Sequence, residues 1–461
     1  MSKFSYKKLL CLLLTLGVLG LPSCTDSGTD ESTGAPPISA DSNLDSSKDA
    51  AQWVEGLDTL NDKYKGKIFK VVTVSSGLFE DDSETPIAKQ IMERNALIEQ
   101  KFGIGFNVVE KAASDLKNEL RTAASEGKGY ADLVCAPMDV LADLAVEGLL
   151  ENLYSLPYVD YGAGYTDKAA LESQSVKNTM YMMSGLSTMD IGATVGLFYN
   201  KKMLDGIGVD PFAMAREGNW TWSELQNIAK TISGEGVYGI DTLLDDTETL
   251  VSIYSSCGGK LIDRGNGGEA IPAFNDAIAS YAVSIQNGLF NDGTMGGNYS
   301  ADEAVNAFNT GKLCFLTARL DNVGLFDKAE SEWGLVPLPK HTASQGYVSP
   351  VCGNTLAFAV PKGNEDSAFS GFILNALLAA STDSLDKALK QTYVNYHFWS
   401  NNAALMLELI GDTKQVDLGV AYSSVTEVYE AGLELLTATE ITTLPEEKAA
   451  LFNEFAKKFF K

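Results

Sequence analysis

Histidine is nearly missing from this chain. His341 and His397 are the only two in 461 residues, and neither lies in an HExxH pattern or beside a paired cysteine, so a zinc site is not expected. Cysteine is scarce as well: six residues with no CxxC pair leave zinc-ribbon and redox motifs without their ligands. There is no GxSxG elbow and no phosphate-cradling glycine loop; Gly265-Asn266-Gly267-Gly268 reads as a turn. Basic charge is also short. Lys and Arg number 35 against 61 Asp and Glu, a net charge of −26, which repels the phosphates of nucleic acid and of anionic lipid. The adjacent acids Asp81-Asp82 and Asp245-Asp246 invite comparison with a glycosidase pair or calcium ligands, but neighbours in a chain point apart, and solvated loops are the simpler reading. These absences leave a chain read as a non-enzyme with no cofactor and no metal, and with no nucleic-acid partner.

A long apolar run occurs at one end. Lys3, Lys7 and Lys8 precede the apolar stretch Leu9–Leu21, and Leu21-Pro22-Ser23-Cys24 closes it with small residues before a cysteine. This order is a secretory signal peptide, too short for a comfortable membrane span. With the cysteine at the cut it resembles a bacterial lipoprotein signal, which implies removal of residues 1–23 and a lipid on Cys24. An ordinary signal peptide cut elsewhere, or an uncleaved anchor, is the alternative. Loss of three lysines and no acids takes the net charge from −26 to −29. Residues 24–64 begin with a polar Ser, Thr, Asp and Gly tract, which cannot bury enough surface to offset its ordering entropy, and end in a short lead-in: a tether. The expected location is the extracytoplasmic face of the membrane, on a Gram-positive surface. The remaining cysteines, Cys135, Cys257, Cys314 and Cys352, sit in apolar or glycine-rich surroundings and read as buried thiols, with a disulfide as the alternative.

From residue 65 onward the chain is long enough for two lobes. Ile68–Val74, Gly103–Val109 and Ala131–Ala136 read as buried strands, separated by helices over Pro86–Phe102 and Ser114–Ala124 and followed by one from Pro137. Thr85 stands as a cap with Pro86 at the first helical position. Alternating strand and helix signals an open parallel sheet. Beyond Phe198 the chain is mostly helical with short strands at Leu313–Thr317 and Leu356–Val360, and it ends in the amphipathic stretch Glu446–Phe460.

Several segments then match one family in its own order. They are Ala131-Asp132-Leu133-Val134 with Ala136-Pro137-Met138-Asp139, Gly148–Leu153, Gly196–Lys202, Asn219–Leu225, Cys257–Asp263, Phe308–Lys312 and Gly334–Lys340. Together they resemble the family 1 extracellular solute-binding proteins, the sugar-binding, maltose-binding-type group of ABC importers. The resemblance implies an α/β, two-lobed periplasmic-binding-protein-like fold of type II. Each lobe would be a sheet flanked by helices, with residues 65–190 and 341–393 in lobe 1 and 191–340 and 394–461 in lobe 2. Crossings would fall near Ile191–Phe198, Leu335–Lys340 and Tyr393–Phe398. It further implies a monomer that encloses a small solute, a mono- or oligosaccharide, and delivers it to permease subunits by hinge closure. A peptide or polyamine binder, or a surface glycoside hydrolase, is the rival.

Sugar clefts are lined by aromatic faces and by carboxylates, amides and Arg. Asp139 follows a parallel strand, where ligands of open sheets bind, though it could instead cap the next helix. Asp190 ends a loop leading into the interlobe strand. Arg319, Asp321 and Asn322 follow Leu313–Thr317, at a loop that the family uses for ligand contact and where many relatives carry an aromatic residue that is missing here. Arg319 and Asp321 could equally pair with each other. Trp220, Tyr254, Asp245, Asn354, Tyr396 and Trp399 complete the expected ligand-binding set. Trp222 is expected in the core.

Overall fold

The computed structural model describes residues 63–424, except positions 167, 267, 292, 327–331 and 397–400, together with position 434. The expected signal peptide (1–23), Cys24, the tether up to position 62, His397, Trp399 and the terminal stretch 446–460 lie outside the described residues.

The β-branched, apolar run at Ile68–Thr73 forms β1 at the centre of the first sheet. It pairs in parallel with β2 (Gly105–Glu110) and β3 (Leu133–Pro137), from Ile68↔Gly105 on one side and Val71↔Leu133 on the other. Parallel neighbours need a crossover, and the helices Pro86–Phe102 and Ala113–Ser125 supply the two. The first is capped as its sequence implies: Thr85 Oγ1 accepts the Ala88 N–H at 3.3 Å, and Gly103 ends it in the left-handed region at φ 62°. The helix Met138–Val146 leaves β3 directly. Two apolar clusters cover the sheet, one around Leu116, Leu141 and Val134, the other around Phe69, Phe102 and Phe372.

The second sheet is built from β4 (Val195–Asn200), β5 (Tyr238–Thr242), β8 (Leu313–Arg319) and β9 (Trp333–Pro337), in the order β5-β8-β4-β9. Between β5 and β8 in the chain lies the hairpin of β6 (Ile262–Arg264) and β7 (Ala270–Pro272). Helices Trp222–Ile232, Asp246–Ser256, Asp276–Leu289 and Ala301–Asn309 cover this sheet around a core holding Trp220, Trp222, Phe198 and Phe315.

The lobes are joined by short crossings. The first is two turns of 3₁₀ helix, Leu186–Thr188 and Asp190–Ala193, which meet at Met189. Met189 has φ 56°, a strained conformation for a residue with a side chain. The second crossing runs from β10 (Ser349–Pro350) to β11 (Leu356–Ala359), where β11 completes the first sheet antiparallel to β3. That is later than Leu335–Lys340. β9 pairs with β4 from Gly196↔Pro337 to Asn200↔Trp333, and the following loop is still tied to the second lobe. There Gln345 Nε2 donates to the Ser256 carbonyl at 2.7 Å, and the His341 ring stacks on Tyr281 at 4.1 Å.

The helix Ser367–Ala380 lies buried in the first lobe, and Asp383–Tyr396 packs against Pro86–Phe102 there, whereas Asn401–Thr413 packs against β9 in the second. The chain then turns back. β12 (Lys414–Gln415) pairs with β10, and Val416, Leu418, Ala421 and Tyr422 enter the first-lobe core beside Ile262 and Ala270. Residues 416–422 therefore touch both lobes, since Val420 packs against the second-lobe core and Asp417 accepts the Leu261 and Ile262 N–H groups. Cys135, Cys257, Cys314 and Cys352 are free and buried.

Candidate ligand cleft between the lobes

The strip Val351–Thr355 forms the floor of the cleft, and backbone hydrogen bonds pin it on two sides. The Cys352 N–H donates to the Ala193 carbonyl at 3.0 Å, fixing the strip to the first crossing. The N–H groups of Met138 and Asp139 donate to Thr355 and Gly353 carbonyls at 2.9 and 3.2 Å, fixing it to the start of the helix after β3. Asn354 stands exposed on this strip and faces two cavities, one of about 480 Å³ and one of about 110 Å³.

The larger cavity opens where β1 and β3 end, the edge of a parallel sheet at which ligands bind. Ser75, Asp81 and Thr355 face it from the first lobe, Asp321 and Val323 from the second, and Met189 and Ile191 from the crossing between them. The helices Pro86–Phe102 and Asp383–Tyr396 add an aliphatic wall through Ile87, Ile91 and Leu389. Tyr393 is the one aromatic side chain among the lining residues. Thr355 Oγ1, on the floor strip, is buried with no hydrogen-bond partner.

The smaller cavity lies between Asp139 of the first lobe and Glu248, Ser252 and Ser255 of the second, with Asp417 behind. Asp139 Oδ1 accepts the Val140 N–H at 2.7 Å; burial pushes this carboxyl up from its ordinary range. Burial also raises Glu248, and nearby Asp245 adds to the effect while Arg319 opposes it. Burial drives Asp417 up to about 6, although it accepts N–H groups from Leu261 at 2.6 Å and Gly419 at 2.7 Å. Arg319 stands beside these acids, with Nη1 4.0 Å from Glu248 and Nε 3.4 Å from Asp321. Among the described residues no group of three or more His, Cys, Asp or Glu is placed to hold a metal.

The structure brings together Asp139, Arg319, Asp321 and Asn354 from the sequence-derived set. Asn322 follows Asp321 in the same turn but lines neither cavity. Asp190 points the other way: both its oxygens lie 2.6 Å from Lys414 Nζ, behind the crossing, and it is 3 % exposed. Asp245 is an exposed helix cap whose Oδ1 accepts the Glu248 N–H at 2.8 Å. Trp220 is fully buried in the second-lobe core, with Nε1 donating to the Pro337 carbonyl at 3.0 Å. Tyr254 is buried too, its hydroxyl donating to Lys260 at 3.0 Å and accepting from Asn275 at 2.9 Å. These two aromatics are therefore structural, because each polar tip is already satisfied away from the cleft. Tyr396 is the last residue of its helix.

Sequence reasoning missed Glu248, Ser252, Ser255 and Asp417. The first three lie four and three residues apart, a polar stripe on a helix whose other faces are buried, and that spacing was the available signal.

Two α/β sheets joined by short crossings, with a gap between them lined by carboxylates, hydroxyls and aliphatic side chains, define the class of two-lobed solute-binding proteins. The model for the family described as bacterial extracellular solute-binding protein matches residues 81–379, and the chain belongs to that family. No curated protein matches the chain. Among solved structures it is similar to a cyclo/maltodextrin-binding protein complexed with maltotetraose, at 16 % identity and a TM-score of 0.56 over 86 % of this chain and 98 % of that one. It is also similar to an ABC substrate-binding protein of Listeria monocytogenes in complex with cycloalternan, at 14 % identity and TM-score 0.54 over 86 % and 99 %. A third is the ABC transporter-associated binding protein of B. animalis subsp. lactis Bl-04 in complex with β-1,6-galactobiose, at 15 % identity and TM-score 0.51 over 84 % and 96 %. At these identities the likeness establishes the fold.

Proposed function

We propose that this chain captures a carbohydrate in the interlobe cleft and delivers it to an ABC importer. In this reading residues 1–23 are removed and a lipid on Cys24 holds the protein at the extracytoplasmic face. One observation carries the reading: a cavity of about 480 Å³ lies between the lobes, with Ser75, Asp81 and Asn354 on its first-lobe side, Asp321 on its second-lobe side, and aliphatic side chains and Tyr393 between them. Such a volume is in the range of small-molecule sites. Because each lobe supplies contacts, ligand favours the closed arrangement and shifts the population toward it. Binding and release require no bond to break, so no residue is assigned a catalytic role. Asp139, Asp321 and Asn354 are the proposed direct contacts, with Arg319 held beside them.

The test is thermal unfolding against neutral mono- and oligosaccharides, followed by calorimetry on those that stabilise. A ligand at a hundredfold excess over Kd adds roughly 2.7 kcal/mol. The sugar is expected back unchanged. Recovery of a hydrolysis product would make the chain a surface glycoside hydrolase, and stabilisation by a peptide or polyamine alone would replace the sugar reading.

A further inference from the structure

The two cavities that meet at Asn354 are unbalanced in charge. Asp81 and Asp321 line the larger one, Asp139, Glu248 and Asp417 the smaller, and no Lys or Arg lines either among the described residues. Arg319, beside both cavities, is paired within its own lobe, with Glu248 4.0 Å from Nη1 on one side and Asp321 3.4 Å from Nε on the other. Both acids come from the same lobe as Arg319, so lobe closure is not needed to form these pairs. An anion entering the cleft meets carboxylates with no Lys or Arg side chain among the lining residues described to offset them, and the one guanidinium beside them is already shared between Glu248 and Asp321. A hydroxyl or an ammonium finds acceptors.

We propose that Glu248 and Asp321, by holding Arg319, exclude ligands bearing carboxylate or phosphate, so that the cleft takes an uncharged or amine-bearing glycan. This rests on the carbohydrate reading of the cleft. Arg319 is here a positioning residue, an internal counter-ion rather than a ligand fork.

The experiment is isothermal calorimetry on the mature chain with neutral, amine-bearing and uronate-bearing forms of the same gluco- and galacto-disaccharides. Spermidine and citrate serve as non-sugar cation and anion. The expected result is binding of a neutral or amine form, with its uronate counterpart weaker by roughly a hundredfold, the scale of a like-charge clash. In the Glu248→Gln/Asp321→Asn double variant the freed Arg319 should tighten uronate binding by roughly tenfold or more. Arg319→Gln should do the reverse, weakening uronate further and tightening the amine form, and it serves where the double variant does not fold. Uronate binding to the unaltered protein as tightly as the neutral form would overturn the charge inference and leave the carbohydrate reading standing. Binding of spermidine alone would overturn the carbohydrate reading and leave the charge inference standing. Citrate alone, or no ligand at all, would overturn both.

Discussion

Replacing Lys414 by methionine should unfasten the joint between the lobes. Asp190 is 3 % exposed, and Lys414 Nζ, 2.6 Å from each oxygen, is the donor that neutralises it. The pair ties the first crossing to the chain just after the helix Asn401–Thr413, at β12. Lys414→Met keeps the length of the side chain and removes the charge, leaving a buried carboxylate alone, which costs about 3–5 kcal/mol. The opposite change should cost less. In Asp190→Asn the ammonium remains, but it is 18 % exposed and shares its cavity with Glu408 and Asp412, so water and other acids can receive it. A loss of about 1–3 kcal/mol fits the removal of one buried hydrogen-bonding partner. The double variant should lie near Asp190→Asn, since no unpaired charge is left. Urea unfolding of the four proteins at pH 7.5 measures all three differences. A Lys414→Met protein within about 1 kcal/mol of the parent at pH 7.5 would refute the reasoning.

Other consequences are simpler to state. Asp417 has its folded pKa raised to about 6 from 3.8, so the folded state takes up the proton first as pH falls. Its contribution is full below about pH 4 and lost as pH rises through 6; the stability of the parent relative to Asp417→Asn should grow by about 3 kcal/mol from pH 7 to below 4, and a flat difference would contradict this. Asn354 is exposed, so Asn354→Ala should leave unfolding within about 0.5 kcal/mol while weakening the stabilising sugar by roughly tenfold, read by calorimetry. Trp220→Ala should cost about 3–5 kcal/mol as a core cavity, and once that loss is allowed for, sugar affinity should be unchanged. Cys24→Ser should move the protein from the membrane fraction to the medium, tested by fractionation of cells.

The elements that local chemistry dictates were legible. A β-branched run gave β1, and Thr85-Pro86 gave a capped helix, because caps and periodicity act within a few residues. The helix Asp246–Ser256 was not, because two adjacent acids at its tip read equally as a solvated loop. Asp245 is there because a cap needs its oxygen, and Glu248, three residues on, is the one that reaches the cleft. The aromatics misled for a related reason. Trp220 and Tyr254 have the chemistry of a sugar platform, but a ring with a polar tip serves a core equally well when a carbonyl lies within reach, as Pro337 and Lys260 do. Side-chain type alone does not separate these two uses; only the partner does.

Asp190 shows where such reasoning meets its boundary. It stands in the right loop, one residue from Met189 and Ile191, which do line the larger cavity, yet its carboxylate faces the opposite side. The left-handed Met189 turns the chain between the two 3₁₀ turns, and a reversal of one residue decides which side chain sees ligand and which sees Lys414. The same compactness couples the two. Ligand contacts on one face of the Asp190–Ala193 turn and the ion pair on the other act on one short segment, so any ligand that shifts Ile191 also loads the Lys414 pair. Binding and hinge stability should accordingly fail to add in double-variant measurements at Asn354 and Lys414, whereas variants at Asn354 and Trp220, which share no segment, should add.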